Sequence, residues 1–396
     1  MDLDVPVLPA YGTRSLAELA PALLAALGAD ARSAGAPPDT DGLDRLGIGP
    51  AGRICLLLVD GLGADQLAEY ASDAPFLSSL AGREPLTAGF PSSTPVSLST
   101  LGTGAPPGAH GIVGVHFEAS PGELLESIKW TIHRGGRAVD QREELPPEQV
   151  QPLDTLLHRA ATSGVDVRVV SARAFEGSGL TRAALRGGQY RGVHALGDLA
   201  AELITALHAP APVFCYGYHA HLDMLGHVYG PGSLPWRLEL SVIDRVAGLV
   251  AEALPPDGLL VVTADHGMVT VPAGSRIDAD TDPALRAGVR LLGGDPRSRH
   301  VYAKPGAAAE VLAAWKERLG PAGWVRAGEE AIEAGWFGPT VDDRTRARIG
   351  DVVVAMRGDS TVTRSRAEPM ISLMIGQHGS LTAAEQHIPL LLARAR

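Results

Sequence analysis

Short, unbroken apolar runs recur along the sequence at residues 54–59, 165–171, 212–218 and 258–263, and they constrain the fold more than any other feature. A strand with one solvated face alternates apolar and polar residues. A run that is apolar throughout belongs to a strand covered on both faces, as in a parallel sheet. Helical patterns lie between the runs, notably at 197–207 and 234–254. Strand and helix alternating at this spacing predict a doubly wound α/β fold, a mostly parallel sheet with helices on both faces. An earlier helix is expected over 15–27, where Ser15 and Glu18 form a capping box and Gly28 supplies the stop. A Pro/Gly/Asp-rich stretch, 36–49, separates it from the first run.

Two stretches break the rhythm. Residues 117–151 are polar, with Glu-Leu alternation and Pro146-Pro147, and read as a β excursion or a long ordered loop over the sheet edge. Residues 272–372 carry their own pattern: strand-like 299–304, a helix at 307–319, a helical turn near 328–334 and strand-like 351–356. That pattern predicts a small inserted α+β cap over 272–372, with the α/β core formed by 1–271 and 373–396. The chain re-enters the main sheet at His378 and ends with a strand at 387–392. There is no internal repeat.

The 396 residues are enough for a large buried core, and 34 basic against 45 acidic residues give a net charge of −11. That balance argues against a chain whose main task is to neutralise nucleic-acid polymers or to dock on an anionic membrane. Only Lys129, Lys304 and Lys316 are lysine. Cys55 and Cys215 are too few and too far apart for a CxxC motif or a disulfide framework, and each sits in an apolar run as a small buried hydrophobe. The N-terminal Met1-Asp2-Leu3-Asp4-Val5 lacks a basic leader region, and no apolar run reaches the ~18 residues of a membrane span. The expectation is a cytoplasmic, soluble protein.

Open α/β sheets bind ligands beyond the carboxyl ends of their strands, and these ends carry metal-ligand residue types. Asp60 follows the first run, Asp223 and His227 follow 212–218, and Asp265-His266 follows 258–263. Singly, Asp60-Gly61 is a plain turn and Asp223/His227 is an i,i+4 ion pair. Recurrence at successive strand ends points instead to a metal centre. Thr94 before Pro95 reads as the N-cap of a helix with proline at its first position. The start of a helix also attracts phosphate, and a hydroxyl there is placed to attack phosphorus if a bound metal lowers its pKa.

These residues carry a resemblance. The chain resembles the alkaline phosphatase superfamily, and within it the type I phosphodiesterase/nucleotide pyrophosphatase family. The matching blocks are Val59-Asp60-Gly61, Thr94 followed by His110-Gly111-Ile112, Asp223-Met224-Leu225-Gly226-His227 with Gly230-Pro231, Thr263-Ala264-Asp265-His266-Gly267-Met268, and Gly376-Gln377-His378-Gly379. They stand in the family's order over roughly 54–392. The resemblance implies one zinc on Asp60, Asp265 and His266 with Thr94 as nucleophile, and a second zinc on Asp223, His227 and His378, other divalent metals being possible. It implies a hydrolase of phosphodiester or nucleotide pyrophosphate bonds acting on a small phosphate ester or nucleotide through a phospho-threonine intermediate. Two dications against three aspartates would leave about one positive charge in the site, so the acidic whole does not oppose a phosphate ester.

The chain departs from the family pattern at several points. Val115 stands where the family usually has a phosphate-binding asparagine, and His116 beside it is a candidate replacement. Leu222 replaces a common proline, whereas Tyr218 is retained and is a candidate for the leaving-group or base pocket. His219 and His221 share the Asp223 side of the strand but have no place in the family pattern. Thr94-Pro95 does not fit a sulfatase motif. A phosphomonoesterase of the same superfamily, or a catalytically inactive metal-stabilised binding protein, are the competing readings.

Overall fold

Six strands form the central sheet of the computed structural model, which describes residues 5–29 and 40–395. The N-terminal residues 1–4, and residues 36–39 of the Pro/Gly/Asp-rich stretch, lie outside the described residues. In chain order the strands are β1 (Arg53–Val59), β2 (Asp166–Ala172), β3 (Gln189–Val193), β4 (Val213–His219), β5 (Gly258–Thr263) and β6 (Leu391–Arg394). They lie in the order β6-β5-β1-β4-β2-β3, all neighbours parallel except β6, which runs antiparallel to β5. The apolar runs are thus the inner strands. The half-exposed edge strand β3 (Gln-Tyr-Arg-Gly-Val) has no such run.

Both faces of the sheet are covered, which is why β1 is apolar at successive positions. Leu56, Phe214 and Tyr216 pack toward α1 (Leu16–Ala26) and α2 (Thr94–Thr103), whereas Leu57 and Gly217 face Leu203 of α3 (Leu196–Leu207). The long α5 (Leu234–Glu252) packs beside α3, and α4 (His221–Tyr229) connects β4 to it. The Ser15–Glu18 capping box forms as expected, and Gly28 takes the left-handed conformation that ends α1. Cys55 and Cys215 stand opposite each other on β1 and β4, fully buried in the core.

The polar excursion forms a four-stranded antiparallel meander: His116–Ser120, Glu123–Glu126, Thr131–Arg134 and Arg137–Asp140. A second antiparallel sheet has the strand order Val289–Asp295, Ser298–Ala303, Val352–Met356, Gly323–Ala327. The terminal strand expected at 387–392 is two strands. His387–Ile388 pairs with Leu86–Thr87 and β6 joins the main sheet, with Pro389 at the break because it has no N–H for a ladder. Among the described residues no helix is long and apolar enough to cross a membrane.

The helix that carries Thr94 is held tightly from behind. A Cβ on Gly102 would overlap the carbonyl oxygen of Ala184, so only glycine lets α2 seat against the helix Gly179–Ala184. Gly102→Ala is expected to cost about 1–3 kcal/mol by overpacking. The check is a lower urea midpoint with an unchanged slope.

Candidate metal centre

Because β5, β1 and β4 are neighbours, their carboxyl ends deliver Asp265, Asp60 and, through α4, Asp223 to one place. Asp60 leaves β1 with its N–H on the His219 carbonyl (2.9 Å), which pins the ends of β1 and β4 together. Gly61 then turns at φ +75°, and a Cβ there would lie 3.0 Å from Asp223 Cα. The Asp-Gly pair is thus an aspartate followed by the one residue that lets a second aspartate come close. Asp265 fixes its Oδ1 on the N–H groups of Gly61 and His266, both at 3.1 Å.

Three histidines complete the cluster. His266 Nε2 lies 3.5 Å from Asp60 Oδ1 and 3.5 Å from Asp265 Oδ2. His227 Nε2 lies 3.3 Å from Asp223 Oδ2, and His378 Nε2 lies 3.7 Å from Asp223 Oδ1 and 3.2 Å from His227 Nε2. The His266 and His378 rings stack with centroids 3.6 Å apart, so the two donor groups share a wall. Each ring donates from Nδ1 to a backbone carbonyl: His227 to Gly376 (2.7 Å), His266 to Gly267 (3.0 Å) and His378 to Ser92 (2.9 Å). A carbonyl can only accept, so every Nδ1 carries the proton and every Nε2 presents a lone pair to the cluster.

The residues present fit a cation. Asp60 Oδ1, Asp223 Oδ1 and Asp265 Oδ2 are buried without a hydrogen-bond partner. Together with the facing Nε2 lone pairs, they form a cluster of acceptors whose charge a bound cation would balance. Burial, followed by the charges of Asp265 and Asp223, pushes the Asp60 carboxyl well above its ordinary range. Burial and the neighbouring His266 and His227 rings push His378 well below its own. Imidazole with carboxylate is a donor set suited to Zn²⁺. The residues expected at the two metals divide as Asp60, Asp265 and His266 on one side and Asp223, His227 and His378 on the other. The shared wall also places His266 beside Asp223 and His378.

Thr94 stands next to the first group, its Oγ1 3.3 Å from His266 Nε2. It is the first residue of α2 rather than its cap. Ser93 occupies the cap position in extended conformation and Pro95 sits inside the first turn. The one-residue shift brings the hydroxyl into the helical turn, facing the cluster. Tyr218 donates from its hydroxyl to Asp60 Oδ2 and lines a cavity of about 460 Å³ beside Thr94, together with Leu98, Ile128, Phe175 and Tyr190. His116 opens the meander with Nδ1 3.2 Å from the Gly294 carbonyl. Among the described residues, no hydrogen bond or ring contact joins it to Thr94 or to the donor groups.

Asp295 was not evident from sequence, where Gly-Asp-Pro signals only a turn. Its buried carboxyl accepts the backbone N–H of Val115, the residue at the family's asparagine position, and its Oδ2 has no partner. Burial pushes this carboxyl up to about 7, against the opposing charge of Arg299. A carboxyl held neutral in the fold contributes stability that is whole below the unfolded carboxyl range and is lost as pH rises through about 7. Asp295→Asn is therefore expected to flatten the fall in melting temperature between pH 5 and 8. An unchanged pH slope would contradict the assignment.

Comparisons with known proteins bear on the fold and the family. No curated protein matches the chain in sequence. Among solved structures, an inactive variant of murine ectonucleotide pyrophosphatase/phosphodiesterase 5 in complex with AMP is similar, with a TM-score of 0.66, 18% identity, and 87% of this chain and 88% of that one covered. The human protein of the same name superposes with a TM-score of 0.66 at 18% identity, covering 86% of this chain and 87% of its own. At that identity the likeness establishes the fold. The family model for type I phosphodiesterase/nucleotide pyrophosphatase matches residues 54–381, and the chain belongs to that family of hydrolases.

Proposed function

We propose that the chain hydrolyses a phosphodiester or nucleotide pyrophosphate bond with Thr94 as nucleophile, two zinc ions as cofactors and a covalent phospho-threonine intermediate. The observation that carries the reading is the convergence of three imidazole Nε2 atoms and three partnerless carboxylate oxygens beside the Thr94 hydroxyl. When bound, the dications would supply a lowered hydroxyl pKa and charge neutralisation on the attacking and leaving oxygens. The protein's own part is placement. The first turn of α2 leaves N–H groups without helical acceptors, a seat for a non-bridging phosphate oxygen. Thr94 Oγ1 attacks phosphorus, the bond to the leaving group breaks, and water then cleaves the phospho-threonine ester. Tyr218 holds Asp60 in place from the cavity side and forms the wall on which the leaving or retained group rests.

The substrate reading comes from the cavity and from one relative. About 460 Å³ lined by Leu98, Phe175, Tyr190 and Tyr218 suits an aromatic base with its sugar. The AMP of the murine relative's structure favours a nucleotide of that size. The cationic side chains at the cavity, Lys129 and Arg142, are each paired already, with Glu126 at 3.0 Å and Asp140 at 2.5 Å. A dianionic monoester would need such charges for itself, which favours diesters over the phosphomonoesterase reading.

The test compares bis-p-nitrophenyl phosphate with p-nitrophenyl phosphate. The diester is expected to turn over faster, and Thr94→Ala to lower its rate by about 10³-fold or more. Preference for the monoester would select the runner-up, and no turnover of either ester with metal bound would select the inactive binding protein. Chelation is expected to abolish the rate and Zn²⁺ to restore it. Double displacement further predicts net retention at a chiral phosphorus; inversion would remove the covalent step.

A further inference from the structure

Among the described residues, one cluster of metal-ligating side chains remains outside the donor groups already described. His219 ends β4, His221 opens α4 and Glu239 lies on α5, and one ligand atom from each falls within 4.8 Å of the others. His219 Nε2 is 2.6 Å from Glu239 Oε1, and the His219 and His221 rings meet edge to face with centroids 5.0 Å apart. The backbone beneath them is fixed: Leu222 beside His221, and Trp236 and Leu240 flanking Glu239, are buried in the core. A His–Glu pair alone would be an ordinary buried contact. The second imidazole, carried into the same small sphere by a different element, adds a donor that the pair does not need.

The cluster also has an entrance. A cavity of about 270 Å³ is lined by His219, His221, Met224 and His194, and it shares Phe175 and Tyr218 with the larger cavity beside Thr94. We infer that His219, His221 and Glu239 form a third divalent transition-metal site, separate from the catalytic donors and adjoining the substrate cavity at Phe175 and Tyr218. Two imidazoles and a carboxylate select Zn²⁺, Co²⁺ or Ni²⁺ over Mg²⁺ and Ca²⁺, which prefer oxygen alone. Three protein ligands leave positions open for water or for an anionic group of a bound molecule. A cation there would also tie the start of α4, which carries Asp223 and His227, to α5.

The test is metal content by mass spectrometry after loading with Zn²⁺ and desalting, on the wild type, His221→Ala and Glu239→Gln. His221 is exposed and Glu239 half-buried, so both variants are expected to fold, with the metal-free melting temperature as the check. Each variant is expected to hold one equivalent fewer than wild type. In Co²⁺-loaded protein, each should lose one increment of the visible absorption. Equal metal content in all three proteins would overturn the site, and so would a variant that loses more than one equivalent, since these residues would then belong to the catalytic donors. The one-equivalent difference is read whatever number the catalytic donors hold, so this inference and the proposed function fail independently.

Discussion

Crowding of like donors at the ends of three adjacent strands is the constraint on which the rest depends. One oxygen from each of three aspartates, buried with no hydrogen-bond partner, converges with three imidazole Nε2 atoms. Such an arrangement costs free energy unless a cation occupies it. The surrounding structure holds it in place by backbone bonds: Asp60 N–H on His219, Gly61 N–H on Asp265, and each histidine Nδ1 on a carbonyl. The sheet order β5-β1-β4 is what makes those anchors local, because neighbouring parallel strands end side by side. The glycine after Asp60 then removes the one atom that would keep Asp223 away.

Much of this was legible in the sequence because the relevant signals are short-range. A strand buried on both faces must be apolar at every position, so β1, β4 and β5 could be read directly, and a donor follows each run within a few residues: Asp60, Asp223 and Asp265. The capping box of Ser15 and Glu18 likewise lies within a few residues. What escaped depends on distant partners. The edge strand β3 is polar because one side faces water, and Pro389 divides the last apolar segment into strands of two different sheets. Tyr218 was seen as a pocket residue, but its hydrogen bond to Asp60 reaches across 158 positions. Asp295 meets Val115 only because the second sheet folds against the meander.

The segments outside the central sheet share a core with the nucleophile helix. Phe90 and Val96, on either side of Thr94, pack in one cluster with Phe117 and Trp130 of the meander, Trp336 and Phe337, and Leu381 near His378. Phe90 meets Trp336 and Phe337 edge-on, with centroids at 4.9 and 5.4 Å. The position of Thr94 is therefore set as much by these added elements as by the sheet. Changes in the meander or the second sheet would be felt at the hydroxyl through packing, without touching any donor.

The donors are spread along the chain from Asp60 to His378, and this has a consequence for biosynthesis. As the polypeptide leaves the ribosome, Asp60, Asp223, Asp265 and His266 are all present long before His378 can arrive. The nascent chain thus passes through a stage with one donor group complete and the other missing an imidazole. β6, which closes the edge of the sheet, is still later. Contacts between such remote positions close only after the intervening chain has been made. The donor cluster therefore closes only at the end of translation, after the inner strands β1, β2, β4 and β5 have all been made.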